Sequence, residues 1–152
     1  MSLISAEALL DRVAERGFFI PNNPELNLAL PLDLSTITSN NLIKEMHTAS
    51  QMRAYAESQF TMAEIEETRA AIELKQAKAQ VYLGLKAQSG MTEKQREAKR
   101  DTDENIVAIQ ERQFEAESYA KLVGTVYRRY EAIYQLLSRE ISRRGLFKQG
   151  LE

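Results

Sequence analysis

The sequence predicts an all-α protein: a long, coiled-coil-like antiparallel helical hairpin with a short N-terminal helix and an extended arm, assembling into an oligomer. Three observations carry this. The only prolines are Pro21, Pro24 and Pro31, so two long downstream stretches, about 39–88 and 104–144, lack the residue that breaks helices. In both stretches, apolar or small residues recur at alternating spacings of four and three, the pattern of a helix with one buried seam. Between them lies a short polar connection, SGMTEKQREAKRDTDEN, and two helices of similar length joined in this way fold back on each other.

Residues 1–35 form the N-terminal helix and arm, and residues 36–152 the hairpin. Ser5 to Arg16 reads as a short amphipathic helix, with Leu9, Leu10 and Val13 on one side and Gly17 as its stop. The arm, GFFIPNNPELNLALPLDLS, holds all three prolines, so it cannot form a long helix. Its many apolar residues predict that it lies against the rest of the monomer or a neighbour.

The first long helix has the seam Leu42, Met46, Ala49, Ala56, Phe60, Ala63, Ala70, Leu74, Ala77 and Val81, interrupted by Arg53 and Glu67. Its alanines allow a close approach between helices. Gly90 supplies a C-terminal cap, Thr92 and Gln95 a capping-box pattern for one short turn of helix, and Asp101 and Asp103 N-caps for the last helix. The second seam runs Ile106, Ile109, Gln113, Ala116, Ala120, Val123, Tyr127, Tyr130, Tyr134, Leu137 and Ile141, and Gly145 ends it.

Two helices cannot shield more than one seam from water. Ile65, Ile72 and Ala79 on the first helix, and Leu122, Val126, Ile133 and Leu136 on the second, form further apolar rows. These leftover rows predict a homo-oligomer of hairpins packed side by side; the alternative is that the arm covers them within one monomer.

Composition narrows the function. The 152 residues contain no cysteine and one histidine, His47. That removes disulfides, thiolate metal sites and cysteine nucleophiles. Glu64 and Glu67 share a helix face but lack the Glu-x-x-His partners of a di-iron bundle. Phosphate loops, nucleophile elbows and zinc spacings are absent. The expectation is a protein that is not an enzyme and needs no cofactor or metal. No apolar run is long enough to span a bilayer and no leader-like N-terminus is present, so the expected setting is the cytoplasm, away from membranes.

The net charge of -2 hides a gradient. Residues 1–75 carry 6 basic and 11 acidic side chains (-5), residues 76–120 carry 7 and 8 (-1), and residues 121–152 carry 7 and 3 (+4). The basic end centres on YRRYEAIYQLLSREISRR. With Arg128 as reference and about 100° per residue, Arg139 falls near 20° and Arg143 near 60°, opposite the tyrosine seam. Arg129 and Arg144 flank this row, and Lys148 follows the helix. A row of guanidiniums over about four turns can contact several phosphates. The helix macrodipole also favours arginine near a C-terminus by about 0.3–1 kcal/mol, so a merely solvated row is the competing reading. Tyr127, Tyr130 and Tyr134 point to the core, not to stacked bases.

The layout resembles the UvsY-type phage recombination mediators over roughly residues 36–148. The resemblance rests on a long helix starting near SNNLIKEM and ending near AQVYLGLK, a connection beginning MTEKQ, and a second helix ending YRRYEAIYQLLSREISRR. It implies a ring-like oligomer that binds single-stranded DNA and helps load a recombinase onto strands covered by a single-strand-binding protein, in a bacterial host cell. It assigns nucleic-acid binding to Arg128, Arg139, Arg143 and Arg144, with Lys94, Lys99 and Arg100 as a second patch. The acidic first half departs from a DNA-coating protein. The competing expectation is a structural or adaptor coiled coil that binds another protein through the arm, Phe18 to Leu34.

Overall fold

Capping residues mark several of the helix ends. The computed structural model describes residues 5–18, 33–88 and 90–145. Helix α1 spans Ala6–Glu15, and the Ser5 hydroxyl accepts from Ala8 N at 3.1 Å. At its end Gly17 takes φ +80°, and the Gly17 and Phe18 N–H groups turn back to the carbonyls of Ala14 and Val13 at 2.8 and 3.3 Å, a left-handed cap that favours glycine. Most of the proline arm lies outside the described residues. Its last residues form a 3-10 turn, Leu34–Thr36, capped by Asp33.

The two long helices are α2, Ser39–Lys86, and α4, Glu104–Arg143, within two residues of the predicted bounds. Between them α3, Glu93–Asp101, is longer than the single turn expected. The Thr92–Gln95 capping box that starts it is complete in both directions. Asp103 caps α4, accepting from Asn105 N and Ile106 N at 3.0 and 3.3 Å, while Asp101 closes α3. Among the described residues there is no strand, and no helix is long and apolar enough to cross a membrane.

Every position of both predicted seams is buried or half-buried. The chain forms two compact units, each built on α2 and α4 packed side by side.

One unit holds residues 10–18, 33–60 and 122–145. Its core is Leu42, Ala49, Leu137 and Ile141, with Leu34, Ile37, Met46, Ile133 and Tyr134 packed against them. Burying each large aliphatic there contributes about 1.5–3 kcal/mol. Numbers rise along α2 as they fall along α4, so the helices are antiparallel: Arg53 Nε pairs with Glu131 Oε2 at 3.0 Å, and Phe60 stacks on Tyr127 at 5.9 Å between centroids. The charged interruption at Arg53 is thus partnered, and its guanidinium also lies 4.7 Å from the centroid of Tyr134, a cation–π contact. The end of α1 docks here. Val13 and Phe18 are buried, Phe18 lies 5.2 Å from Tyr55 between centroids, and the Tyr55 hydroxyl donates to Arg16 O at 3.0 Å.

The other unit holds residues 5–9, 61–88 and 90–121. Leu74, Ile106 and Ile109 form its core with Ala77 and Val81 against them. Arg112 Nη2 meets Glu73 Oε1 at 3.0 Å, again an antiparallel pairing. Helix α3 is tied to α2 by the Tyr82 hydroxyl, which donates to Glu93, and by Lys78 Nζ at 3.9 Å from Asp101 Oδ1.

One expectation needs correction. Val126, assigned to a leftover row, is only 3% exposed, and Ile133 of the same row packs against the Leu42 core, so the chain itself covers that row there. Ile65 and Ile72 do remain open, at 47% and 51%, as does Leu136 at 52%.

Candidate nucleic-acid interface

The basic row is carried by the C-terminal part of α4, from Arg128 to Arg143, a helix whose inner face is fixed by Val123, Leu137 and Ile141. Because the seam is fixed, the opposite face must be outward. Arg128, Arg139 and Arg143 are all exposed. Arg128 and Arg139 stand eleven residues apart, three turns and about 16 Å along the axis. Arg128 folds back one turn, its Nε donating to Gly124 O at 3.2 Å. Neither Arg128 nor Arg139 has a carboxylate partner among the described residues. Arg129 is half-buried.

The tyrosines turn inward as the seam requires. Tyr127, Tyr130 and Tyr134 are half-buried, Tyr127 against Phe60 and Tyr134 against the Leu42 core. Among the described residues no aromatic platform lies between the arginines.

Towards the end of α4 the arginines are engaged. Glu140 accepts from Arg143 Nε and Nη2, both at 2.7 Å, in a bidentate pair. The same carboxylate accepts from Arg144 Nε at 2.7 Å. These bonds, from Arg143 first and Arg144 second, hold the Glu140 carboxyl down at about 2 and raise Arg143. Arg144 points away from solvent: its Nη1 and Nη2 donate to Ile37 O and Leu34 O at 2.6 and 2.7 Å. It fastens the 3-10 turn and the start of α2 to the end of α4. Each of its three nitrogens therefore donates to the protein, which sets it apart from Arg128 and Arg139. Lys148 lies outside the described residues.

The second predicted patch belongs to α3. Lys94 and Lys99 are exposed, and Arg100 is half-buried. Arg100 Nε and Nη2 donate to the Asp101 carboxylate at 2.8 and 3.1 Å, which raises the arginine and lowers the aspartate. Only the two lysines there are uncommitted among the described residues. His47 is an exposed residue on α2.

Glu140 is the residue that sequence reasoning passed over. Its spacing of three and four residues to Arg143 and Arg144 is the ordinary signal for ion pairs on a helix face. No protein-family model, curated protein or solved structure matches the chain.

Proposed function

We propose that the chain is a homo-oligomeric helical protein that binds single-stranded DNA and acts as a recombination mediator. In this reading it is a phage-encoded accessory factor working in the bacterial cytoplasm with a recombinase and a single-strand-binding protein. The observation that carries it is the pair Arg128 and Arg139, exposed on one face of α4 and free of carboxylate partners among the described residues. Guanidiniums placed so are open to phosphate, whose contacts are electrostatic and independent of sequence. With the tyrosines packed inward, the DNA is held by its backbone and not by stacked bases. The resemblance of residues 36–148 to UvsY-type mediators supplies the biological class. The chemistry needs neither cofactor nor metal.

Met62, Ile65, Ile72 and Leu83 form an open aliphatic row on α2, each about half exposed or more. In this proposal copies of the chain meet along it, and the oligomer repeats the arginine row so that weak contacts add by multivalency. In the competing adaptor reading another protein is bound through the arm, Phe18 to Leu34, and the arginines are merely solvated.

Fluorescence anisotropy with a labelled single-stranded oligonucleotide separates the two. The mediator reading expects binding at about 50 mM salt that weakens steeply as salt rises, and its loss in Arg128→Ala/Arg139→Ala/Arg143→Ala. No binding at low salt leaves the adaptor reading. Binding untouched by the triple substitution moves the site, with Lys94 and Lys99 the next to replace.

A further inference from the structure

The Arg143 guanidinium is 65% exposed as a side chain, yet it is not an open cation. The Glu140 carboxylate holds it through two hydrogen bonds of 2.7 Å, and Glu140 itself is only 11% exposed. This is the fork-to-fork geometry by which arginine grips a carboxylate or a phosphate. Both anions present paired oxygens, so the Nε/Nη2 edge that Glu140 fills is closed to phosphate while it stays there. Glu140 is further fixed by Arg144, whose other nitrogens are held by Leu34 and Ile37 carbonyls. The carboxylate is thus positioned from behind and cannot simply swing away. Asp33, on the neighbouring turn, adds a second negative charge that Arg143 feels. Arg139, one turn back on the same face, has no such partner among the described residues.

We propose that Glu140 is a built-in counter-anion: it fills the Nε/Nη2 edge of Arg143 and offsets its charge, so that a backbone phosphate of single-stranded DNA is held only weakly there and affinity is limited at this end of the row. This rests on the nucleic-acid reading above and adds a device to it. The arginine row is graded, open at Arg128 and Arg139 and self-neutralised at Arg143. Such grading keeps binding weak at each subunit and leaves total affinity to the number of subunits engaged.

The test uses the full chain, a labelled oligothymidine and anisotropy titrations between about 50 and 200 mM salt. In the native chain Arg143→Ala should change affinity less than about twofold, whereas Arg139→Ala should weaken it severalfold. Glu140→Gln keeps a hydrogen-bond acceptor for Arg144 and removes the charge. It should tighten binding by about threefold to tenfold and steepen the salt dependence by about 0.7, the slope of one more single-strand phosphate contact. Adding Arg143→Ala to Glu140→Gln should erase that gain. Glu104→Gln, the same charge change at the other end of α4, should have no such effect. Circular dichroism checks that each variant stays helical.

The proposal is overturned if Glu140→Gln binds as the native chain does, if Glu104→Gln tightens binding equally, or if Arg143→Ala alone weakens binding as much as Arg139→Ala. If Arg128→Ala/Arg139→Ala abolishes binding while Glu140→Gln changes nothing, only the role of Glu140 falls. If neither the native chain nor Glu140→Gln binds at about 50 mM salt, the nucleic-acid reading falls and takes this proposal with it.

Discussion

The ring of Phe60 occupies the space that a side chain at Gly124 would need: a Cβ at position 124 would lie 2.7 Å from Phe60 Cε2. Glycine in mid-helix is otherwise unfavourable by about 1 kcal/mol relative to alanine, and here it makes room for the ring that stacks on Tyr127. Gly124→Ala should lose more through overpacking, about 1–3 kcal/mol, than it gains in helix propensity. The check is a pair of thermal melts followed by circular dichroism. Tm should fall for Gly124→Ala and recover when Phe60→Leu is added; a rise in Tm for the single substitution would contradict the packing described.

Glu140 should make stability depend on acid. Its carboxyl sits near 2 in the folded protein against an ordinary value of 4.5, because Arg143 and Arg144 donate to it. A carboxyl depressed by folding stabilises above its unfolded value and loses that contribution as pH falls towards its folded one. Tm of the native chain should therefore drop between about pH 4.5 and 2 more steeply than Tm of Glu140→Gln. Asp33 and Asp101 are also depressed, so the difference between the two curves, not the native curve alone, isolates Glu140. Parallel curves would contradict the assignment.

Arg144 should hold the 3-10 turn. Its guanidinium joins the Leu34 and Ile37 carbonyls to Glu140, a fork that a lysine ammonium cannot reproduce. In Arg144→Lys and Arg144→Ala the Thr36 and Ile37 amides, which donate to Asp33 and Leu34 carbonyls, should exchange with deuterium faster than in the native chain. The Leu137 amide, deep in α4, should be unaffected in Arg144→Lys. Unchanged exchange at Thr36 and Ile37 would show that the turn stands without the latch.

The contrast between Arg53 and Arg144 shows where sequence reasoning stops. Arg53 breaks the α2 seam visibly, and a seam position demands a partner from the facing helix, which Glu131 and Tyr134 supply. The seams, the helix bounds and the capping box at Thr92 were legible because periodicity and capping are local and need only neighbours along the chain. Arg144 reads as a flank of the outward row by helical angle, while its contacts lie 107 and 110 residues away in sequence. They depend on where the arm returns, which no helical period encodes. The angular row of Arg128, Arg139 and Arg143 was legible from residue spacing, but its neutralisation at Arg143 depends on the carboxylate of Glu140.

Open apolar side chains on α2 predict self-association. Multi-angle light scattering should give a mass well above the 17.3 kDa of one chain. Ile65→Glu/Ile72→Glu should shift the protein towards the 17.3 kDa of a single chain while leaving its helicity intact, because both residues face away from the seam. A native chain that runs as a monomer would exclude the oligomer.

The most direct test of the central claim is the salt dependence of single-stranded DNA binding, compared between the native chain and Arg128→Ala/Arg139→Ala. Each phosphate contact removed should flatten the plot of log affinity against log salt by about 0.7. A slope shallower by roughly 1.4, with weaker binding at every salt concentration, is the predicted result. An unchanged slope, or no binding by the native chain at about 50 mM salt, would contradict a DNA-binding row on α4.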